Sequence, residues 1–118
     1  MNKVAVVMRK APYGTVYTAE GFRTLMGIAV FEMEISVVFV DDGVYALVAG
    51  QAPGKLDMKP LGDGFPMLAE FGVSNFYVHD ESLRERGLTV GDLVMDVEIV
   101  DSAQIAAILE SAGKVLPF

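Results

Sequence analysis

His79, Asp80 and Glu81 form the densest run of titratable side chains in a chain that contains a single histidine. An imidazole can act as a general base near neutral pH, and a neighbouring carboxylate can orient it. Consecutive residues of a strand point to opposite faces, however, so His79 and Asp80 need not meet. The competing reading is a solvated or interface histidine, with Ser82 capping the turn that follows rather than serving as a nucleophile. Asp41 and Asp42 could hold Mg²⁺ as paired carboxylates do. Followed by Gly43, they are equally ordinary turn chemistry, because Asp bonds the local backbone and Gly supplies a positive φ. Between Arg9 and Thr15, two cations (Arg9 and Lys10) and the residues Tyr13, Gly14 and Thr15 precede a helix, a pattern that could receive an anion. It lacks the Gly-x-x-x-x-Gly-Lys-Ser/Thr spacing, and no Gly-x-Gly-x-x-Gly occurs in the chain. A nucleotide loop is therefore excluded, and a structural loop with exposed charges stays open beside the anion reading.

Cysteine is absent from all 118 residues. That excludes disulfides, thiolate metal sites, iron–sulfur ligation and any persulfide or thioester step on this chain's own side chains. One histidine cannot build a His-rich metal cluster, so neither a metal nor another cofactor is expected. The net charge is −7 and the pI about 4.5. Phosphate backbones are bound through Lys and Arg, so nucleic acid is not an expected direct partner. No apolar run reaches the roughly 20 residues of a membrane span. The chain opens on a strand-like run without a cleavage-site pattern, and the expected location is the cytoplasm. The apolar fraction is 53%, with a mean hydropathy of +0.43. A core of this size buries only about two-thirds of the surface of the unfolded chain, so part of that excess is expected in an oligomer interface. Tyr13, Tyr17 and Tyr45 lie in or beside loops and combine apolar area with a polar tip, which makes them the interface candidates. Phe22, Phe31 and Phe71 fit core positions by spacing.

The elements that must position these residues follow from the apolar pattern. Val4 to Met8 is a continuous apolar run that suits a buried strand. Thr18 is a candidate N-cap for an amphipathic helix from Ala19 to about Glu32, in which Gly21 and Gly27 would allow close packing on a sheet. Ile35 to Val40 reads as a second strand, and Val44 to Val48 as the start of a short helix. Phe76 to His79 is a third strand, with a helical turn from Glu81 to Arg86 stopped by Gly87. Val94 to Val100 is a fourth strand, Asp101 or Ser102 caps a last helix, and Val115 to Phe118 is a fifth strand. Strands alternating with helices predict an α/β domain over residues 1–118: a flavodoxin-like open sheet of about five mainly parallel strands, helices on both faces, in the order 2-1-3-4-5. In such sheets ligands lie beyond the carboxyl ends of the strands, where Arg9 to Thr15, Asp41 to Gly43 and His79 to Ser82 all fall.

Three strings carry a resemblance: Arg-Lys-Ala-Pro-Tyr-Gly-Thr at 9–15, Asp-Asp-Gly-Val-Tyr at 41–45 with Gly50-Gln51 downstream, and Ser-Leu-Arg-Glu-Arg-Gly-Leu at 82–88. Their order and spacing resemble the DsrE/DsrF/DsrH-like sulfur-relay family, nearest its DsrF/TusC branch, over essentially the whole chain. The resemblance implies assembly with cysteine-bearing DsrE/TusD-type and with DsrH/TusB-type subunits, in sulfur oxidation or in tRNA thiolation. It also implies that the cysteine some members carry at the end of the third strand falls here, within one residue, on His79. The implied role is a non-catalytic subunit that builds an oligomer and supports a partner's persulfide site. The alternative is a stand-alone homo-oligomer, trimeric or hexameric, that binds a small molecule or anion at the strand ends.

Overall fold

The run from Val4 to Met8 lies at the heart of a five-stranded sheet. In this computed structural model, which describes residues 3–11, 16–29, 31, 33–48, 65–73 and 75–118, β1 (Lys3–Met8) pairs in parallel with β2 (Glu34–Phe39) on one side and β5 (Lys114–Pro117) on the other. Val4, Ala5, Val6, Val7 and Met8 are all buried. A strand covered on both faces shows a continuous apolar run rather than alternation. Beyond β2 lie β3 (Asn75–His79) and the edge strand β4 (Glu98–Val100), so the order is β4-β3-β2-β1-β5, all parallel.

The expected order 2-1-3-4-5 is thereby corrected: β1 lies between β2 and β5, not between β2 and β3. Each connection from β1 to β4 steps the chain outward in one direction, and only the last one returns it across the sheet. Apolar patterning marks which runs are strands but not which strand is neighbour to which.

The two faces are covered unequally. Val6, Met8, Val37, Phe39, Phe76 and Val78 pack under α1 (Tyr17–Ile28), α2 (Phe65–Leu68) and α3 (Asp80–Glu85), through Leu25, Phe65, Leu68 and Leu83. Phe65 stands edge-on to both Phe22 and Phe39, with ring centroids 5.3 Å apart in each pair. Such pairs add about 0.5–1.5 kcal/mol beyond their burial. On the other face Val38 and Val100 pack against Ile105 of α4 (Ser102–Ser111), with Tyr77, Ile108 and Leu109 around them.

Several local expectations shift. Helix α1 starts at Tyr17 and ends at Ile28, because Thr18 is not its cap. Thr18 is buried, and its hydroxyl lies 3.1 Å from the Lys10 carbonyl and 3.4 Å from that of Ala11, bonds that tie down the end of the β1 loop. Gly21 does pack closely: a Cβ there would stand 2.7 Å from the Met8 side chain, whereas one at Gly27 would meet nothing. Phe22 is half-buried against the core, but Phe31 is 62% exposed. After β2 the chain makes a 3₁₀ turn over Asp41–Leu47, earlier than the helix start expected at Val44. Val94 to Val97 do not belong to β4; the Val94 N–H donates to the Leu47 carbonyl (2.8 Å), and Val48 bridges Leu93 in antiparallel sense.

Candidate functional site

The helices that follow β3 and β4 leave the sheet on opposite faces. Helix α3 buries Leu83 in the larger core, and α4 buries Ile105 in the smaller one. Two neighbouring parallel strands whose connections diverge in this way open a crevice at their carboxyl ends, the usual ligand position of open α/β sheets. His79, the last residue of β3, stands in that crevice. Val78 belongs to the larger core and Tyr77 to the smaller, so alternation turns His79 toward the α4 face, in register with Val100.

Both ring nitrogens are engaged. Nδ1 lies 2.7 Å from Ser82 Oγ of α3, and Nε2 lies 2.8 Å from Ser102 Oγ at the first turn of α4. Ser82 is 2% exposed, and its Oγ also accepts the Asp41 N–H at 2.9 Å. Four elements meet here: the end of β2, the end of β3 and the first turns of α3 and α4. The local sequence allows it. Asp101 takes the capping role on α4, accepting the Gln104 N–H at 2.8 Å while Gln104 accepts the Asp101 N–H at 2.9 Å, which leaves the Ser102 hydroxyl to the histidine. Asp41 adopts φ of +50°, a left-handed conformation that Asp tolerates better than most residues. Gly43 permits the close approach of this turn to β1, since a Cβ would collide with the Met8 carbonyl.

Two carboxylates beside the crevice, those of Asp42 and Asp80, have basic partners. Asp42 lies 3.0 Å from Arg86 Nη2, and Arg86 Nη1 donates to the Ser82 carbonyl at 3.2 Å. Asp80 stands 3.4 Å from Arg84 and accepts the Glu81 N–H at 2.6 Å. Neither Asp80 nor Glu81 bonds the imidazole; two serines do, Ser82 three residues on and Ser102, which sequence adjacency misses because it is 23 residues away. Ser82 is not the cap that its position after the strand suggests: it lies inside α3, whose N-cap is His79. Asp41 and Asp42 are drawn into the Ser82 and Arg86 contacts, and among the described residues no group of three or more His, Cys, Asp or Glu is placed to hold a metal ion.

Arg9 and Lys10 follow β1, which β2 separates from the histidine's strand. Both are exposed, and the Arg9 N–H donates to the Phe118 carbonyl at 2.7 Å. Tyr13, Gly14 and Thr15 lie outside the described residues, as do Gly50 and Gln51. Tyr17 is 47% exposed on α1, and Tyr45 is half-buried in the 3₁₀ turn. A groove lined by Asn75, Tyr77, Asp96 and Glu98 opens at the opposite, amino-terminal end of β3 and β4. There the Tyr77 phenol is pushed above its ordinary value of 10.0 by burial first, then by the Glu98 and Glu34 carboxylates. Among the described residues no helix is long and apolar enough to cross a membrane.

A five-stranded, all-parallel open sheet defines the class of protein, and solved structures share that fold. The YchN protein of E. coli superposes with a TM-score of 0.86 at 25% identity, covering all of both chains. A Methanobacterium thermoautotrophicum protein of unknown function shares the fold with a TM-score of 0.72 at 18% identity. The DsrE/DsrF-like family model matches residues 2–118. A Vibrio vulnificus TusC homolog is 35% identical over the full length of both chains. The intracellular sulfur oxidation protein DsrF of Allochromatium vinosum is 34% identical, covering 100% of this chain and 97% of its own, and the TusC protein of Buchnera aphidicola is 32% identical over both full lengths. The chain belongs to the DsrE/DsrF-like family.

Proposed function

We propose that this chain is a cysteine-free subunit of a sulfur-relay complex, acting in oligomer assembly and in support of a partner's persulfide site. What supports this most is one conjunction: full-length likeness to TusC and DsrF proteins in a chain with no cysteine. Sulfane sulfur is carried between proteins on thiolates, and this chain offers none. Its contribution is then the surface it builds, with the His79 crevice as the chemically equipped part of that surface. The partners are a DsrE/TusD-type subunit, which carries the sulfur on cysteine, and a DsrH/TusB-type subunit, within a closed ring of discrete size. The setting is the cytoplasm.

Co-expression with these two subunits, with the affinity tag on this chain alone, is the test. Recovery of a stoichiometric complex that carries persulfide on the DsrE/TusD-type cysteine supports the reading. Recovery of this chain by itself from a lysate that contains both subunits in soluble form contradicts it.

A further inference from the structure

We propose that Ser82 fixes the tautomer of the His79 imidazole, with the proton on Nε2 and Nδ1 accepting, so that the crevice offers a fixed N–H donor to an anionic sulfur, a partner's thiolate or persulfide. The sulfur identity of the ligand rests on the function proposed above; the tautomer does not.

The tautomer follows from counting protons. A backbone N–H can only donate, so Ser82 Oγ accepts from Asp41. Ser82 still has one proton of its own to place, and at 2% exposure it is shut away from water. Burying a hydroxyl without an acceptor is costly, and Nδ1 at 2.7 Å supplies one. Nδ1 is then the unprotonated nitrogen, and the ring proton stands on Nε2. The reverse arrangement would make Ser82 accept twice and leave its proton stranded.

Nε2 points to the open side. It donates to the hydroxyl of Ser102, which is exposed and sits on the first turn of α4. A rotation about one side-chain bond of Ser102 frees the Nε2–H, and with Ser102 in place its hydroxyl proton is free to point outward. In either state the crevice presents a donor, so it selects a ligand atom that accepts. Of the carboxylates nearby, Asp42 is held by Arg86, Asp80 by Arg84, and Asp101 by the Gln104 N–H.

Imidazole ¹⁵N–¹H correlation spectra of the isolated chain, recorded well above the ordinary imidazole pKa of about 6.5, read the tautomer directly. The expected result is a proton on Nε2 and none on Nδ1, unchanged in Ser102→Ala, with the Nδ1–H form rising several-fold in Ser82→Ala. Ser82→Cys, close in shape, serves if Ser82→Ala does not fold. A ring protonated on Nδ1 in the wild type, or a tautomer ratio indifferent to both Ser82 variants, overturns the assignment. Thiosulfate, a stable anion with a terminal sulfur, probes the ligand class against sulfate. The proposal expects thiosulfate to shift the Nε2 signal saturably at concentrations at least tenfold below sulfate; in the variants, which have no imidazole, the backbone amide signals around residue 79 are followed instead, with the response kept in part by His79→Gln and lost in His79→Glu. Equal response to both anions, or none, overturns the sulfur preference. The tautomer result requires no partner subunit, so failure of co-assembly would sink the proposed function and leave this assignment standing.

Discussion

A histidine with a hydroxyl on each ring nitrogen is coupled to the fold as well as to the surface. Truncation in His79→Ala leaves the buried Ser82 hydroxyl without its acceptor. The expected loss is about 1–3 kcal/mol, more than a solvated surface histidine would cost. Urea denaturation of the variant and the wild type measures it; a loss indistinguishable from zero would mean that the Ser82 contact is not formed. Tyr77 gives a second residue-scale prediction. Its phenol is raised above 10.0 by burial and then by Glu98 and Glu34, so above pH 10 the folded state holds a proton that the unfolded state releases. The sign is fixed: this contribution is complete below pH 10 and is lost as pH rises through the raised value. Alkaline ultraviolet titration is expected to show the Tyr77 phenol ionising above its ordinary value of 10.0, and Tyr77→Phe is expected to flatten the alkaline decline in stability.

Among the elements, the 3₁₀ turn after β2 is the least forgiving. It delivers the Asp41 N–H to Ser82 while passing so near β1 that Gly43 admits no Cβ. Gly43→Ala forces backbone apart and is expected to cost about 3 kcal/mol, near the top of the usual overpacking range; thermal unfolding of the variant checks this, and a change below about 1 kcal/mol would refute the close approach. Much of this layer could be read from residue patterns. The apolar runs at Val4–Met8, Ile35–Phe39 and Phe76–Val78 announce buried strands, and Gly87, at φ of +67°, stops α3 as expected. Strand order could not be read this way, since neighbours in a parallel sheet depend on which face each crossover takes. Phe31 had core spacing but lies past the end of α1, exposed. The candidate site was half legible. His79 stands out by type, yet Ser102 reaches it only because α4 crosses to the opposite face from α3, a relation that no local window contains. A serine that both follows Asp101 and precedes Gln104 could have been separated from the capping role by noticing the Asp-x-x-Gln box.

For the whole molecule, the exposed apolar side chains are consistent with assembly. Val16, Tyr17, Phe31, Met67 and Val90 are each between 47% and 63% exposed. Under the proposed function, part of this area is expected to be covered by partner subunits. By itself the chain is expected to show no saturable transfer of sulfur from thiosulfate to cyanide, because that chemistry needs a thiolate. The central claim is most directly tested by native mass spectrometry of the chain co-expressed with its cysteine-bearing DsrE/TusD-type and DsrH/TusB-type partners, followed by subunit masses after loading with sulfur. The account predicts one stoichiometric assembly in which the added sulfur resides on the partner's cysteine and never on this chain. A persistent species at 12.7 kDa beside folded partners, or sulfur covalently held by this chain, would contradict it.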